Sequence, residues 1–406
     1  MKLLAALLLA AAPAARAADS CVSCHAALDE RNAAVIGSFA RDIHREKGLS
    51  CAACHGGDPT KEDMAEAMDP AKGFAGKPEP AQMSQFCGKC HSDPKYMRRY
   101  NPSLPTDQAA KYATSNHGLR LKAGDTDVAT CASCHPAHSI RPPKDPTSSV
   151  YVKNVPDTCA RCHADSKKMA AHKLPATVVA EYKDSVHGKA LLGRGDTAAP
   201  ACNTCHGNHG AAPPGVAGIG QVCGMCHVNN MEFFKNSPMS KPWAKAGFHA
   251  CATCHTAHAV QKPTSALLAG DAALCARCHA SSSKPRAVAA ALKAELDTGE
   301  SSYRAAEAAI AQAEEKGMDM ADARDALDGA RTSMYQARTA VHTFSPEAVA
   351  KVAGEGKAAS GKALQAAQDA VKDFRDRRVG LGLSTFVIAF LAGALYLKVR
   401  DLESGE

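Results

Sequence analysis

The sequence predicts a mainly α-helical protein with much irregular structure, closed by a helical hairpin or bundle and one membrane-spanning helix. Three observations predict it. All 18 cysteines of the 406-residue chain fall in C-x-x-C-H motifs between residues 21 and 279, spaced too closely to leave room for long regular elements. From 284 to 378 cysteine is gone, and alanine, charge and a seven-residue apolar period take over. Finally, 19 residues from Val379 to Leu397 carry no charge. The composition, 22% charged and 45% hydrophobic, excludes collagen-like and disordered classes. With only 5% aromatic residues and one Trp, something other than side chains is expected to supply buried apolar surface.

Taken in order, residues 1–17 read as a secretory signal. Lys2 is the basic start, Leu3 to Ala12 the apolar stretch and Ala15-Arg16-Ala17 the cleavage site. The mature chain is expected to begin at Ala18, outside the cytoplasm. Losing Lys2 and Arg16 takes the formal net charge from +7 to +5.

The cysteine pairs are Cys21/Cys24, Cys51/Cys54, Cys87/Cys90, Cys131/Cys134, Cys159/Cys162, Cys202/Cys205, Cys223/Cys226, Cys251/Cys254 and Cys275/Cys278. A histidine follows each pair directly: His25, His55, His91, His135, His163, His206, His227, His255 and His279. This is the attachment signature of c-type haem, in which two thiols add to the haem vinyl groups and the adjacent histidine becomes the proximal iron ligand. A zinc ribbon would not need histidine at the same following position each time. A disulfide framework would not need the spacing at all. Nine covalently attached haems are therefore expected over 18–283, as four two-haem units and one N-terminal haem. At about 28 residues per haem they must be neighbours, and the porphyrins would act as core. Their propionates offset the positive balance, so no nucleic-acid partner follows from it.

The region repeats. Tyr112-Ala-Thr-Ser-Asn-His117-Gly118 precedes Cys131, Tyr182-Lys-Asp-Ser-Val-His187-Gly188 precedes Cys202, and Phe234-Lys-Asn-Ser-Pro-Met239-Ser240 precedes Cys251. A fainter copy places His44 before Cys51. Residues 176–187 are expected to be a short helix with Gly188 as its left-handed cap, presenting His187 as a second axial ligand. His117 is placed similarly. His138, His209 and His258 lie three residues after a motif histidine, too close to reach the other face of the same iron, and are expected to ligate the next haem. Asp58 stands at the matching position of the first unit, and Met239 replaces histidine in the third, with His249 as the alternative for that iron. Methionine would raise the potential. His172 and His342 belong to no repeat. With them, nine histidines outside the motifs match nine irons.

From 284 to 378 a helical bundle or stalk is expected. Leu296, Tyr303 and Ile310 recur at seven, as do Met320, Leu327, Met334 and Val341, with Ala323, Ala330, Ala337 and Phe344 beside them. Leu364, Ala367, Val371 and Phe374 form a further stripe. Lys316-Gly317 divides the first helix from the second, and Ser345-Pro346 starts the third. Residues 379–397 are expected to anchor the chain, leaving 398–406 cytoplasmic. Lys372, Arg375, Arg377 and Arg378 before the span outnumber Lys398 and Arg400 after it. The signal nonetheless decides orientation, because long domains cross largely regardless of charge. Ala389 and Gly393 form a small-x-x-x-small pair suited to helix packing. The span has no histidine, so it cannot ligate a haem.

The nine motifs, the S-x-H-G segments and the C-x-x-C-H-x-x-H runs resemble the multihaem c-type cytochromes. The likeness is to the periplasmic branch that includes doubled C-x-x-C-H proteins, decahaem electron conduits and relatives of octahaem reductases, and it covers about residues 21–279. The C-terminal helices are similar in kind to those that follow the haems of pentahaem nitrite and octahaem hydroxylamine enzymes. The resemblance implies a haem-packed domain passing electrons along the chain. The expected function is a membrane-anchored relay on the periplasmic side of the inner membrane. It would take electrons from quinol or a quinol-oxidising membrane partner and deliver them to periplasmic redox proteins, or the reverse. The alternative is an oxidoreductase acting on a small nitrogen or sulfur compound at one open haem, near Asp58 or Met239. No C-x-x-C-K motif, which marks the open haem of nitrite reductases, occurs, so the electron-transfer reading is preferred and no catalytic residue is assigned.

Overall fold

A computed structural model describes residues 19–210, 218–270 and 273–405. The expected signal and the Ala18 start lie outside the described residues. All regular structure among the described residues is helical. Two compact units form, one from Met1–Ile219 with His258–Gln261, the other from Gly220–Ala257 with Lys262–Glu406.

The first unit is a string of short helices. Ser20–Leu28, Cys51–His55, Met83–His91, Cys131–Cys134, Val155–His163 and Cys202–His206 each carry a C-x-x-C pair. Helical spacing at i and i+3 brings both thiols to one side of the turn. The protein core here is thin. Val155, Tyr182, Leu191 and Ala201 make a small buried cluster, and large buried side chains are otherwise scattered: Met97, Leu121, Met169 and Val179.

The S-x-H-G segments differ from expectation. Val178–Asp184 ends before His187, Ser185 is extended, and a new helical turn, Val186–Gly188, follows. Ser185 is its N-cap, accepting from the Gly188 amide at 3.0 Å. Ser115 caps Asn116–Lys122 through Gly118 in the same way. Gly188 is right-handed (φ −62°), so it is no left-handed cap. Glycine is needed because a Cβ at Gly118 or Gly188 would run into the Tyr112 or Tyr182 carbonyl oxygen of the preceding helix. The tyrosine hydroxyls complete the repeat, Tyr112 donating to the Ala129 carbonyl and Tyr182 to that of Pro200, both at 2.8 Å.

After the motif histidines His55, His206 and His255 the chain turns through a residue of positive φ: Gly56 (φ 69°), Gly207 (φ 80°) and Thr256 (φ 62°). Proline cannot take that conformation. Where Pro136 occupies the position, the residue of positive φ is His138 instead (φ 67°).

The second unit holds the motifs at Cys223, Cys251 and Cys275 and three long helices: Lys284–Glu314, Ala321–Ala340 and Pro346–Glu403. Gly317 (φ 76°) turns the chain between the first two. Ser345 caps the third, its hydroxyl accepting from the Ala348 amide at 3.1 Å, with Pro346 in first place. One core layer joins Ala306, Ile310, Ala313, Met320, Ala323, Leu327, Ala363 and Ala367. A second joins Leu292, Leu296, Ala337, Ala340, Val349 and Ala353. The alanines let the helices approach closely. Phe344 departs from the predicted stripe, since it lies in a left-handed turn (φ 53°) beyond the second helix. The third helix runs unbroken into the apolar span. Its last buried residue is Ala367, and every residue from Val379 to Leu397 is exposed.

Candidate haem site

The motif cysteines form no disulfides, and they form a sequence of neighbours. In the first unit Cys21 interacts with Cys51, Cys54 with Cys90, Cys87 with Cys131, Cys134 with Cys159 and Cys162, and Cys159 with Cys202. In the second, Cys223 interacts with Cys251 and Cys254 with Cys275 and Cys278. Each motif in a unit therefore lies beside the next one along the chain.

The two thiols of a pair are not equivalent, although the motif alone gives them the same role. In four pairs the second thiol is exposed while the first is half-buried: Cys24, Cys54, Cys226 and Cys278 are the outer members. Cys24 lies within the helix Ser20–Leu28, which buries no residue. Cys226 ends a tight turn in which its amide donates to the Cys223 carbonyl at 3.2 Å. Cys205 differs from both. It is half-buried, beside Cys202 of its own motif and the Tyr182 ring.

The histidines are paired. Six rings of motif histidines each face a histidine from elsewhere, with centroids 5.9 Å apart for His91 and His44, 6.1 Å for His55 and His138, and 6.2 Å for His163 and His117. The spacing is 6.3 Å for His135 and His209, and 6.0 Å for both His206 with His258 and His255 with His342. Two imidazole nitrogens bonded to one metal ion at about 2 Å each would put the ring centres about 6 Å apart, and these pairs fit that. They are too far apart for direct hydrogen bonding between rings and too regular for incidental packing. Burial, the largest cause in each case, lowers the pKa of His91, His117, His135, His138, His163, His206, His209, His255 and His342. It favours the neutral ring, whose lone pair can bind a metal.

The far nitrogens are oriented. His55 Nδ1 hydrogen-bonds the Ala75 carbonyl at 3.0 Å and His342 Nδ1 that of Thr339 at 2.9 Å, which leaves Nε2 as the ligating atom. Asn230 Nδ2 also approaches His342. His44 Nδ1 instead meets a carboxylate, that of Asp42, at 2.9 Å. Burial opposes ionisation of Asp42, but hydrogen bonds from the His44 ring and from the His44 and Ile140 amides outweigh it and hold the carboxyl below its usual range.

The pairing obeys a register that was not anticipated. The extra histidine of a C-x-x-C-H-x-x-H run faces the motif histidine two motifs earlier: His138 to His55, His209 to His135, His258 to His206. These rings are near parallel, at 22°, 11° and 17°. The S-x-H histidines face the motif after the one they precede: His44 to His91, His117 to His163. Asp58 occupies the extra-histidine position of the second motif, and no motif lies two earlier. It binds Thr60 and Lys72 at 2.6 and 3.0 Å instead, and His55 of its own motif is paired. His255, with no motif two further on, faces His342 of the bundle.

The other predicted residues are placed as follows. His187 is the second residue of its capped turn, whose Val186 amide bonds Val260. His227 opens the helix Val228–Asn236. Met239 is half-buried and precedes Ser240–Lys245. The His249 ring lies against Gly220. His172 sits between Arg120 and Asp125, at 3.4 and 3.5 Å. His25 and His279, in the first and last motifs, have no facing imidazole among the described residues. Sequence reasoning missed Asp42, although an acidic residue where the other repeats carry serine was a readable signal.

Thiol pairs on helical turns, each followed by a histidine that faces another histidine across a metal-sized gap, define a multihaem c-type cytochrome. The comparisons agree. Residues 43–163 match the cytochrome c3 family, and residues 242–284 match the doubled CXXCH motif family. The chain is also similar to the C-type polyheme cytochrome OmcC of Geobacter sulfurreducens, at 25% identity over 118 residues, which is 29% of this chain and 14% of that protein. No solved structure matches. Together these matches support a multihaem c-type cytochrome carrying haem c.

Proposed function

We propose that the chain attaches nine haems through its 18 motif cysteines and serves as a membrane-anchored electron relay on the periplasmic side of the inner membrane. The observation that carries this reading is the set of six histidine pairs, each of which could hold one haem iron between its two rings, combined with motifs that neighbour one another in sequence order. Haem supplies reversible one-electron iron chemistry. The chain's own part is to fix spacing through the cysteines, close axial positions with neutral imidazoles and set potentials through their hydrogen bonds. Residues 18–283 would hold the haems, 284–378 would form the stalk, 379–397 would anchor it and 398–406 would reach the cytoplasm. The partners would be quinol or a quinol-oxidising membrane protein and periplasmic redox proteins.

The register suggests a partner for the last motif. The S-x-H segments serve the motif after the one they precede, and Met239 holds that position before Cys251. Met239 would then complete the haem of Cys275 with His279, giving that haem a higher potential than its bis-histidine neighbours.

A second reading, an oxidoreductase acting on a small nitrogen or sulfur compound, draws on His25, which has no facing imidazole among the described residues. EPR of the ferric protein, with haem counted by pyridine haemochrome, separates the two. Nine haems, all low-spin and unmoved by nitrite, hydroxylamine or sulfite, sustain the relay. One high-spin haem shifted by such a compound supports the enzyme, and a count well below nine defeats both.

A further inference from the structure

Four segments of the chain share one turn. An aromatic residue lies in the last turn of a helix, and three residues on stands a buried polar residue: Phe39 and Asp42, Tyr112 and Ser115, Tyr182 and Ser185, Phe234 and Ser237. Asp42, Ser115 and Ser185 cap the helical turn that follows. In every copy the amide of the polar residue donates to the aromatic residue's carbonyl, at 3.0 to 3.1 Å. In three copies the serine hydroxyl donates to that same carbonyl, at 2.7 Å for Ser115, 2.6 Å for Ser185 and 2.7 Å for Ser237. A carboxylate has no proton to donate there. Asp42, 1% exposed, uses both oxygens as acceptors instead. Oδ1 takes the His44 amide at 2.8 Å and His44 Nδ1 at 2.9 Å, and Oδ2 takes the Ile140 amide at 2.7 Å. The Ile43 amide returns a bond to the Ile140 carbonyl at 2.9 Å. Ile140 lies two residues beyond His138.

We infer that Asp42 is a positioning residue that fixes the His44 ring through Nδ1 and lowers the reduction potential of the haem shared by His44 and His91. The inference deepens the ligand assignment above and rests on it. A carboxylate accepting from a metal-bound histidine makes that ring a stronger donor. A buried negative charge beside the ligand also favours the more positive ferric state. Both effects act in one direction. The rings of His55 and His342 hydrogen-bond neutral carbonyls, so this haem is expected to lie below theirs in potential. Asp42 also ties the segment that carries His138 to the one that carries His44, so one side chain holds ligand segments of two adjacent motifs.

The test is Asp42→Ser in the full-length holoprotein, a substitution the fold already accommodates at three equivalent positions. Potentiometric titration followed by EPR resolves this haem, because its rings are near perpendicular at 87° while the three extended-run pairs are near parallel. The expected result is at least a tenfold rise in the ferrous-to-ferric ratio of that haem at fixed poise, equal to 59 mV for a one-electron couple. The other haems should be unchanged. Asp42→Asn, which keeps the shape and removes the charge, should move the same haem in the same direction. If every haem of both variants titrates within twofold of the parent, Asp42 is only a helix cap and the inference is wrong. Failure of the ligand assignment is separate: it would show as an unchanged number of low-spin haems in His44→Ala.

Discussion

His342, in the turn that joins the second and third bundle helices, faces His255 with ring centroids 6.0 Å apart. The bundle thus supplies a facing ring that the motif region lacks. Each earlier even-numbered motif histidine faces the extra histidine of a later run, and the series ends before the motif at Cys251. His342→Ala should convert one haem of nine from low-spin to high-spin while leaving helicity by far-UV circular dichroism unchanged. His172→Ala, made beside it, should change no spin state, because His172 is held by Asp125 and Arg120 and faces no motif histidine. The reverse result would exchange their roles.

The motif cysteines and histidines were fully legible, because covalent attachment demands a fixed local spacing that a sequence displays directly. The unequal exposure of the two thiols, Cys24 and Cys226 outside and Cys205 half-buried, was not, since it depends on which motif packs beside which. The facing residues were legible as candidates only. Which ring meets which depends on how the chain returns, and a facing ring can come from a later repeat, as His138 does for His55, or from another structural element, as His342 does for His255. Gly188 was read correctly as a special position and for the wrong reason. Glycine marks either left-handed backbone or close approach, and Ser185, a capping residue three positions earlier, was the signal that decided for the second. The bundle was read from its period, and Phe344 fell outside it, where the second helix had already ended.

Gly118→Ala tests the close approach. Its added methyl would meet the Tyr112 carbonyl oxygen, backbone that cannot swing aside. Overpacking of this kind costs about 1–3 kcal/mol. The expected outcome is a lower denaturation midpoint, with a partial high-spin signal from the haem of His163 as His117 is displaced. An Ala variant as stable as the parent would mean the turn can open without loss.

Met239→His tests the register. A histidine there should lower the potential of one haem, the one attached at Cys275, and leave its low-spin state intact. Met239→Ala should instead open that iron and give a high-spin signal. Should both variants leave all nine potentials in place, Met239 serves packing alone and the ligand of that haem must be sought at His249.

The proposed anchor is separable from the bundle core. The helix Pro346–Glu403 buries nothing after Ala367, and its apolar part has a mean hydropathy of 2.0 with every side chain exposed. Nineteen residues at about 1.5 Å each give about 29 Å, close to the hydrocarbon thickness of a bilayer. Cutting the chain after Arg378 therefore removes no packing contact from the bundle core and no candidate ligand. The shortened protein should fractionate with the soluble periplasmic contents. It should keep nine haems, an unchanged EPR spectrum and the same bundle stability, while electron uptake from membrane quinol falls because the protein is no longer held at the surface. A truncated protein that still sediments with membranes would place the attachment in the haem units or the bundle and remove the role assigned to residues 379–397.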